Sequence, residues 1–154
     1  LKESGIDNTC MNFTTKSRYA VNALADLQYL SNHSNPVALR DIAVRQGIEL
    51  SYLEQLFRKL RMAGIVKSIR GRNGGYVYAA EPTQITIKSI MDAVEENLDA
   101  TNCAGTSACL SGKQCNSHQL WDDLNHVVDS FLSKISIAEL ADSPHHQITM
   151  KEIQ

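Results

Sequence analysis

The chain lacks any apolar run near the roughly 20 residues that a membrane-crossing helix requires, so it is not expected to span a bilayer. Its opening, LKESGIDNTC, lacks the basic start and apolar stretch of an export signal. The expected compartment is therefore the reducing cytoplasm, and residues 1–10 are expected to form a disordered extension ahead of the patterned segment that opens at Met11. Cysteines are few, four in 154 residues. In a reducing compartment such cysteines are more often buried, metal-binding or redox-active than paired as disulfides. There is also no Ser/His/Asp set, no phosphate-binding glycine loop and no pair of carboxylates in a catalytic context. An enzyme is not the expected reading.

What is present is an ordinary globular composition, 43% hydrophobic and 21% charged, with an uneven distribution of charge. Residues 11–80 carry ten Lys/Arg against four Asp/Glu, whereas residues 81–154 carry four against eleven. The net charge of -2 conceals this division. A basic half joined to an acidic half suggests a polyanion-binding module and a second module with another task.

In the basic half, Ala20, Ala23, Leu24, Leu27 and Leu30 fall on one helical face. SNHSNP breaks that helix, and a second follows, with Leu39, Ile42 and Ala43 inward and Gly47 as its stop. A third carries Leu53, Leu56, Phe57 and Leu60 inward and ends at Gly64. Ser51 and Glu54 read as an S-x-x-E capping box that starts this helix at Ser51. Two short helices around a glycine-containing turn describe a helix-turn-helix, although an ordinary packed helical hairpin has the same pattern. In the first case Ser51, Tyr52 and Gln55 face base edges, while Arg58, Lys59 and Arg61 lie largely outside the buried stripe. The next runs, IVKSIR and YVYAA, flank GRNGG and predict a β-hairpin with Arg70 and Arg72 at its tip. Glycines there allow close approach to another surface, and arginines on a thin tip suit a minor groove. Helix-turn-helix followed by a basic hairpin is the order of a winged helix.

In the acidic half, TIKSIMDAVEENL predicts a helix through Ile87, Ile90, Met91 and Val94. SHQLWDDLNHVVDSFLSKIS predicts a longer one, striped by Leu120, Leu124, Val127, Phe131 and Ile135 with Trp121, Val128 and Leu132 beside them. This stripe can pack on its own domain. With the core expected between residues 15 and 95, a second copy of the chain is the expected partner.

Between these helices Cys103, Cys109, Cys115 and His118 are spaced C-x5-C-x5-C-x2-H. Structural zinc sites usually use C-x2-4-C knuckles. The wider spacing suits a 2Fe–2S cluster, for which three thiolates and one imidazole are sufficient donors. Zinc and uncomplexed thiol redox chemistry remain alternatives on spacing alone. Other histidines, His126, His145 and His146, are possible ligands by residue type, and Cys10 has no evident role.

TTKSRYAV, ELSYLEQLFRKLR, IRGRNGGY, DATNCAGTSAC and CNSHQLWDDL together resemble the IscR–NsrR family of dimeric winged helix-turn-helix repressors, from Met11 to about Leu140. The resemblance implies a mostly α fold with a small β-hairpin wing and a long dimerisation helix. It implies that Cys103, Cys109, Cys115 and His118 hold a 2Fe–2S cluster, supplied by a cluster-assembly scaffold. It implies that Ser51, Tyr52, Glu54 and Gln55 on the recognition helix and Arg70 on the wing meet a double-stranded operator, and the positions of Arg61 and Arg72 add them to the expected DNA contacts. It further implies that the cluster-loaded form represses cluster-assembly genes while the cluster-free form binds a second class of sites. The chain departs from the family pattern in its extension, in GRNGG where a proline often sits, and in its short tail. The expected division is an extension at 1–10, a DNA-binding domain at 11–80, and a linker helix, cluster loop (99–118) and dimerisation helix within 81–140. Within the DNA-binding domain the helix-turn-helix is expected at about 39–62 and the wing at 65–80. A flexible tail is expected at 141–154.

Overall fold

The computed structural model describes residues 13–31, 35–96, 98, 100 and 116–142. Among them, α1 (Thr15–Leu30), α2 (Leu39–Gln46) and α3 (Leu50–Met62) are followed by β1 (Val66–Ile69) and β2 (Gly75–Tyr78). Then come α4 (Ile87–Ala93), α5 (His118–Lys134) and α6 (Ile137–Asp142). No helix among the described residues is long and apolar enough to cross a membrane.

The apolar periodicities become the core. Ala20, Ala23, Leu24 and Leu27 of α1 meet Leu39, Ile42 and Ala43 of α2 and Leu53, Leu56, Phe57 and Leu60 of α3, all buried. Each fully buried Leu, Ile or Phe contributes about 1.5–3 kcal/mol. The carboxylate of Asp26, turned inward on α1, accepts from Arg45 Nε (3.0 Å) and Gln46 Nε2 (2.6 Å), fixing the end of α2 against α1. The Arg45 guanidinium also lies 4.6 Å from the Tyr29 ring centroid, so this cation is committed within the domain.

The hairpin is antiparallel, with Val66 opposite Tyr78 and Ile69 opposite Gly75. It is tied to the helices at three places. Tyr76 exchanges two backbone hydrogen bonds with Val37, just before α2 (2.8 and 3.0 Å). Its ring packs edge-on against Phe57 of α3, with centroids 5.1 Å apart. The Tyr78 hydroxyl donates to the Leu24 carbonyl oxygen (2.5 Å), and burial pushes its pKa far above the ordinary tyrosine range.

Two expectations change in the second half. The helix predicted across TIKSIMDAVEENL ends at Ala93. Val94 is buried beyond the helix end, and the chain turns at Glu95 and Glu96. The core is also not complete by residue 95. The short α6 packs on α1, and Ile137 is fully buried. Ile137 N donates to Ile85 O (2.8 Å) and Ile87 N to Ile135 O (2.9 Å), which lashes the two segments together. The last part of the described chain thus closes the first.

Helix α5 rests on α4, where Lys88 reaches Asp92 (2.5 Å) and Asp129 (3.2 Å). Burial lowers the Lys88 pKa, but the hydrogen bonds and charges of those two carboxylates outweigh it and leave the group above its ordinary value. On the other side of α5, Leu120, Trp121, Leu124 and Val127 are exposed, and Phe131, Leu132 and Ile135 are half-buried. The predicted stripe is therefore largely uncovered within one chain.

Candidate nucleic-acid interface and cysteine segment

Helix α3 begins differently from its motif. Its N-cap is Glu49, with φ -62° and ψ 131°, and Leu53 N donates to Glu49 O (3.0 Å). Ser51 is therefore already inside the first turn. Its hydroxyl donates to Glu49 Oε1 (2.6 Å), and no side chain caps the helix. The S-x-x-E box expected at Ser51 and Glu54 does not form, because the N-cap lies two residues earlier, at Glu49, and places Ser51 inside the first turn. Glu54 is not occupied in capping and stands exposed beside Gln55 and Ser51.

Tyr52 differs from these neighbours. It is half-buried and meets the Tyr19 ring edge-on, with centroids 5.9 Å apart. It braces α3 against α1 as well as flanking the exposed face. Arg61 is exposed near the end of α3, and Arg70 and Arg72 are exposed around the wing tip.

Between α3 and the base of the wing runs a groove of about 500 Å³, lined in part by Arg40, Glu54, Arg58, Arg61, Gly74 and Gly75. Three cations and one carboxylate line a cleft bounded by a helix and a hairpin. A cleft with such an excess of positive charge attracts polyanions. Arg40 and Arg58 were not among the candidates read from the sequence. Arg58 was legible there, since it continues the exposed face of Ser51 and Gln55 at helical spacing. Arg40 comes to the groove only because α2 abuts the wing.

The glycines of the wing serve an internal purpose. A Cβ on Gly75 would fall below 3.0 Å from the Val37 carbonyl carbon and oxygen and from Ala38 N. One on Gly74 would collide with the Ile69 carbonyl oxygen. Two of the three glycines thus close the hairpin on itself and on the segment before α2, while a Cβ on Gly71 would meet nothing within 4 Å.

Of the four predicted metal ligands, Cys103, Cys109 and Cys115 lie outside the described residues, as do Cys10, His145 and His146. His118 is the first residue of α5 and is buried, 6% exposed. Among the described residues no three His, Cys, Asp or Glu side chains gather in a metal-binding arrangement. His126 is well exposed and lies 3.7 Å from Asp122. His118 thus combines burial with a place directly after the cysteine segment, while His126 has neither. An imidazole shielded from water beside three thiols in the chain is a suitable donor set for an iron–sulfur cluster or for zinc.

The sequence profile of Rrf2, described as an iron-dependent transcriptional regulator, matches residues 13–143. The chain belongs to the Rrf2 family. It is 49% identical over 130 residues to the HTH-type transcriptional regulator IscR of Vibrio atlanticus, covering 84% of this chain and 75% of that protein. To IscR of Yersinia pestis it is 46% identical over 133 residues, covering 86% and 80%. Among solved structures it is similar to IscR of T. potens, with a TM-score of 0.71 and 30% identity over 92% of this chain and 96% of that one. It is also similar to CymR, the global cysteine regulator of B. subtilis, with a TM-score of 0.74 and 31% identity over 86% and 97%. This Rrf2 protein is a DNA-binding transcriptional regulator of the IscR type with a winged-helix fold, not an enzyme.

Proposed function

We propose that this Rrf2 regulator is a cytoplasmic homodimer that reports iron–sulfur cluster supply to an operator. Cys103, Cys109, Cys115 and His118 hold a 2Fe–2S cluster. The cluster-loaded form represses cluster-assembly genes, and loss of the cluster changes the choice of site. A cluster-assembly scaffold is the donor. The observation that carries the reading is the cationic groove between α3 and the wing, in a chain whose buried His118 joins a three-cysteine segment to α5. The names of its IscR relatives support the same reading.

The chain's own residues have divided tasks. Ser51, Glu54 and Gln55 lie on the exposed face of α3 and read base edges, while Tyr52, braced on Tyr19, sets the angle of that face. Arg61, with Arg58 and Arg40, holds phosphates at the groove wall. Arg70 and Arg72 extend the contact at the wing tip. The exposed stripe Leu120, Trp121, Leu124 and Val127 meets the same stripe of a second copy, so two α3 helices face two half-sites. His118 presents a ring nitrogen from the first turn of α5, and the three cysteines present thiolates from the preceding segment. When bound, the cluster supplies metal–sulfur and metal–nitrogen bonds joining that segment to α5, made and lost with the supply of iron and sulfide.

The test is anaerobic purification followed by iron, sulfide and zinc analysis and visible spectroscopy. Equimolar iron and sulfide with visible absorption support the reading. Colourless protein holding zinc would make this a structural metal site, and metal-free protein with a reversible thiol couple would make it a redox site.

A further inference from the structure

Three helices of this chain end by the same pair of hydrogen bonds, and the third uses an unusual residue. At α2, Gly47 N donates to Val44 O and Ile48 N to Ala43 O. At α3, Gly64 N donates to Arg61 O and Ile65 N to Leu60 O. At α4, Glu95 N donates to Asp92 O (3.1 Å) and Glu96 N to Met91 O (3.0 Å). This closure needs one residue in the left-handed region, which is usually glycine because a Cβ is unfavourable there. Gly47 (φ 64°) and Gly64 (φ 76°) meet that need. At α4 the residue is Glu95 (φ 62°), the one non-glycine residue with positive φ among those described. A glutamate there costs backbone energy that a glycine would avoid, so the use of its side chain must be sought elsewhere in the molecule.

That use is a long-range contact to α3, beside which the Glu95 main-chain oxygen makes one to α1 that any residue at this position would make. Glu95 Oε2 accepts from Lys59 Nζ (2.7 Å), in the last turn of the recognition helix α3. The Glu95 main-chain oxygen accepts from Lys16 Nζ (3.0 Å) on α1. The Lys59 hydrogen bond and charge hold the Glu95 carboxyl below its ordinary value. An exposed pair of this kind contributes little to stability but can set a position. Glu96 takes the other side. Its Oε2 accepts from Thr14 N (3.1 Å), from Thr14 Oγ1 (2.7 Å) and from Ser17 Oγ. Helix α1 has no side-chain cap from its own N-cap residue, and a carboxylate 82 residues away in sequence holds that residue's N–H and hydroxyl instead. Beyond Glu96, Leu98 packs on the core and Ala100 N donates to Asn125 Oδ1 of α5 (2.7 Å). Cys103 follows Glu96 by seven residues.

We propose that Glu95 and Glu96 are positioning residues that tie the end of the recognition helix and the start of α1 to the stretch leading into Cys103, so that the state of the cysteine segment is felt in the placement of α3. For its signal this rests on the cluster reading above. For its mechanics it rests on the contacts alone.

The discriminating variant is Glu95→Gly. It supplies the residue the backbone prefers and removes the link to Lys59, so a purely structural residue would yield a protein that melts no earlier and is otherwise unchanged. Full-length wild type, Glu95→Gly, Glu96→Ala and Glu96→Gln are prepared iron-free and after anaerobic reconstitution with iron and sulfide. Affinity is measured on duplexes selected from random sequence by each wild-type form. The ratio between reconstituted and iron-free affinities is expected to fall about fivefold or more in Glu95→Gly and Glu96→Ala, and to be partly restored in Glu96→Gln, which keeps an acceptor oxygen. A wild-type ratio in Glu95→Gly overturns the proposal. Hydrogen exchange of the iron-free proteins separates this failure from failure of the cluster reading. The Thr14 amide, which Glu96 holds, and amides in the last turn of α3 are expected to exchange several-fold faster in Glu96→Ala and Glu95→Gly respectively. If wild-type binding ignores iron while these amides respond, the cluster reading fails and the clamp stands. If the amides do not respond, the clamp fails whatever the iron does.

Discussion

Gly75→Ala adds one methyl group at the point where the wing touches the helical domain. The new Cβ would lie below 3.0 Å from three backbone atoms of Val37 and Ala38, and backbone cannot rotate away as a side chain would. The least disruptive relief moves β2 away from the segment before α2. This sacrifices the two Val37–Tyr76 hydrogen bonds, each contributing about 0.5–1.5 kcal/mol. It also loosens the Phe57–Tyr76 edge contact, a further ~0.5–1.5 kcal/mol. The expected destabilisation is about 2–4 kcal/mol, equivalent to a drop in Tm of about 5–15 °C for a protein of this size. Thermal melts followed by circular dichroism measure it directly, and DNA affinity should fall as well because the groove loses its wing-side wall. A Gly75→Ala protein melting within about 2 °C of wild type would refute the close approach of β2 to Val37 and the view that this glycine serves the scaffold.

Other outcomes follow from the same geometry. Glu54→Ala should change thermal stability by no more than about 0.5 kcal/mol, because Glu54 caps nothing, while broadening the sequences recovered by selection from random duplexes. Val127→Asp places a charge in the middle of the exposed α5 stripe, and sedimentation should show monomers that retain wild-type helix content. Glu96 introduces a pH dependence: burial works against its ionised form, but the hydrogen bonds from Ser17 and Thr14 outweigh burial and lower its pKa below the ordinary 4.5. Its contribution is therefore complete above about pH 4.5 and lost as pH falls through the lower folded value, so Glu96→Gln should flatten the acid limb of the stability profile.

The helical core and the wing were legible because their signals are local and repeated. Leu53, Leu56, Phe57 and Leu60 recur at helical spacing, and two β-leaning runs flank a glycine-rich tip. What was misread depended on choices that sequence does not rank. The chain holds two S-x-x-E boxes, SYLE at Ser51 and SIAE at Ser136. The first is overridden by a helix that starts at Leu50. The second forms: Glu139 N donates to Ser136 Oγ (3.2 Å) and Ser136 N to Glu139 Oε2 (2.9 Å). It opens α6, which at six residues is too short to show periodicity. The turn at Glu95 was invisible for the opposite reason, since nothing local marks a glutamate as a glycine substitute. At the candidate interface, the exposed residues of α3 and the wing tip could be read from the sequence. Arg40 could not, because a tertiary contact brings it to the groove.

The central claim is that three cysteines and His118 hold a 2Fe–2S cluster. Its most direct measurement compares wild type with His118→Ala, both purified without oxygen, for iron and sulfide content and visible absorption. The account predicts about two iron and two sulfide per wild-type chain, and loss of most of both in a His118→Ala protein that keeps its helix content and still dimerises. Wild type holding zinc or no metal, or His118→Ala binding iron as firmly as the parent, would contradict it.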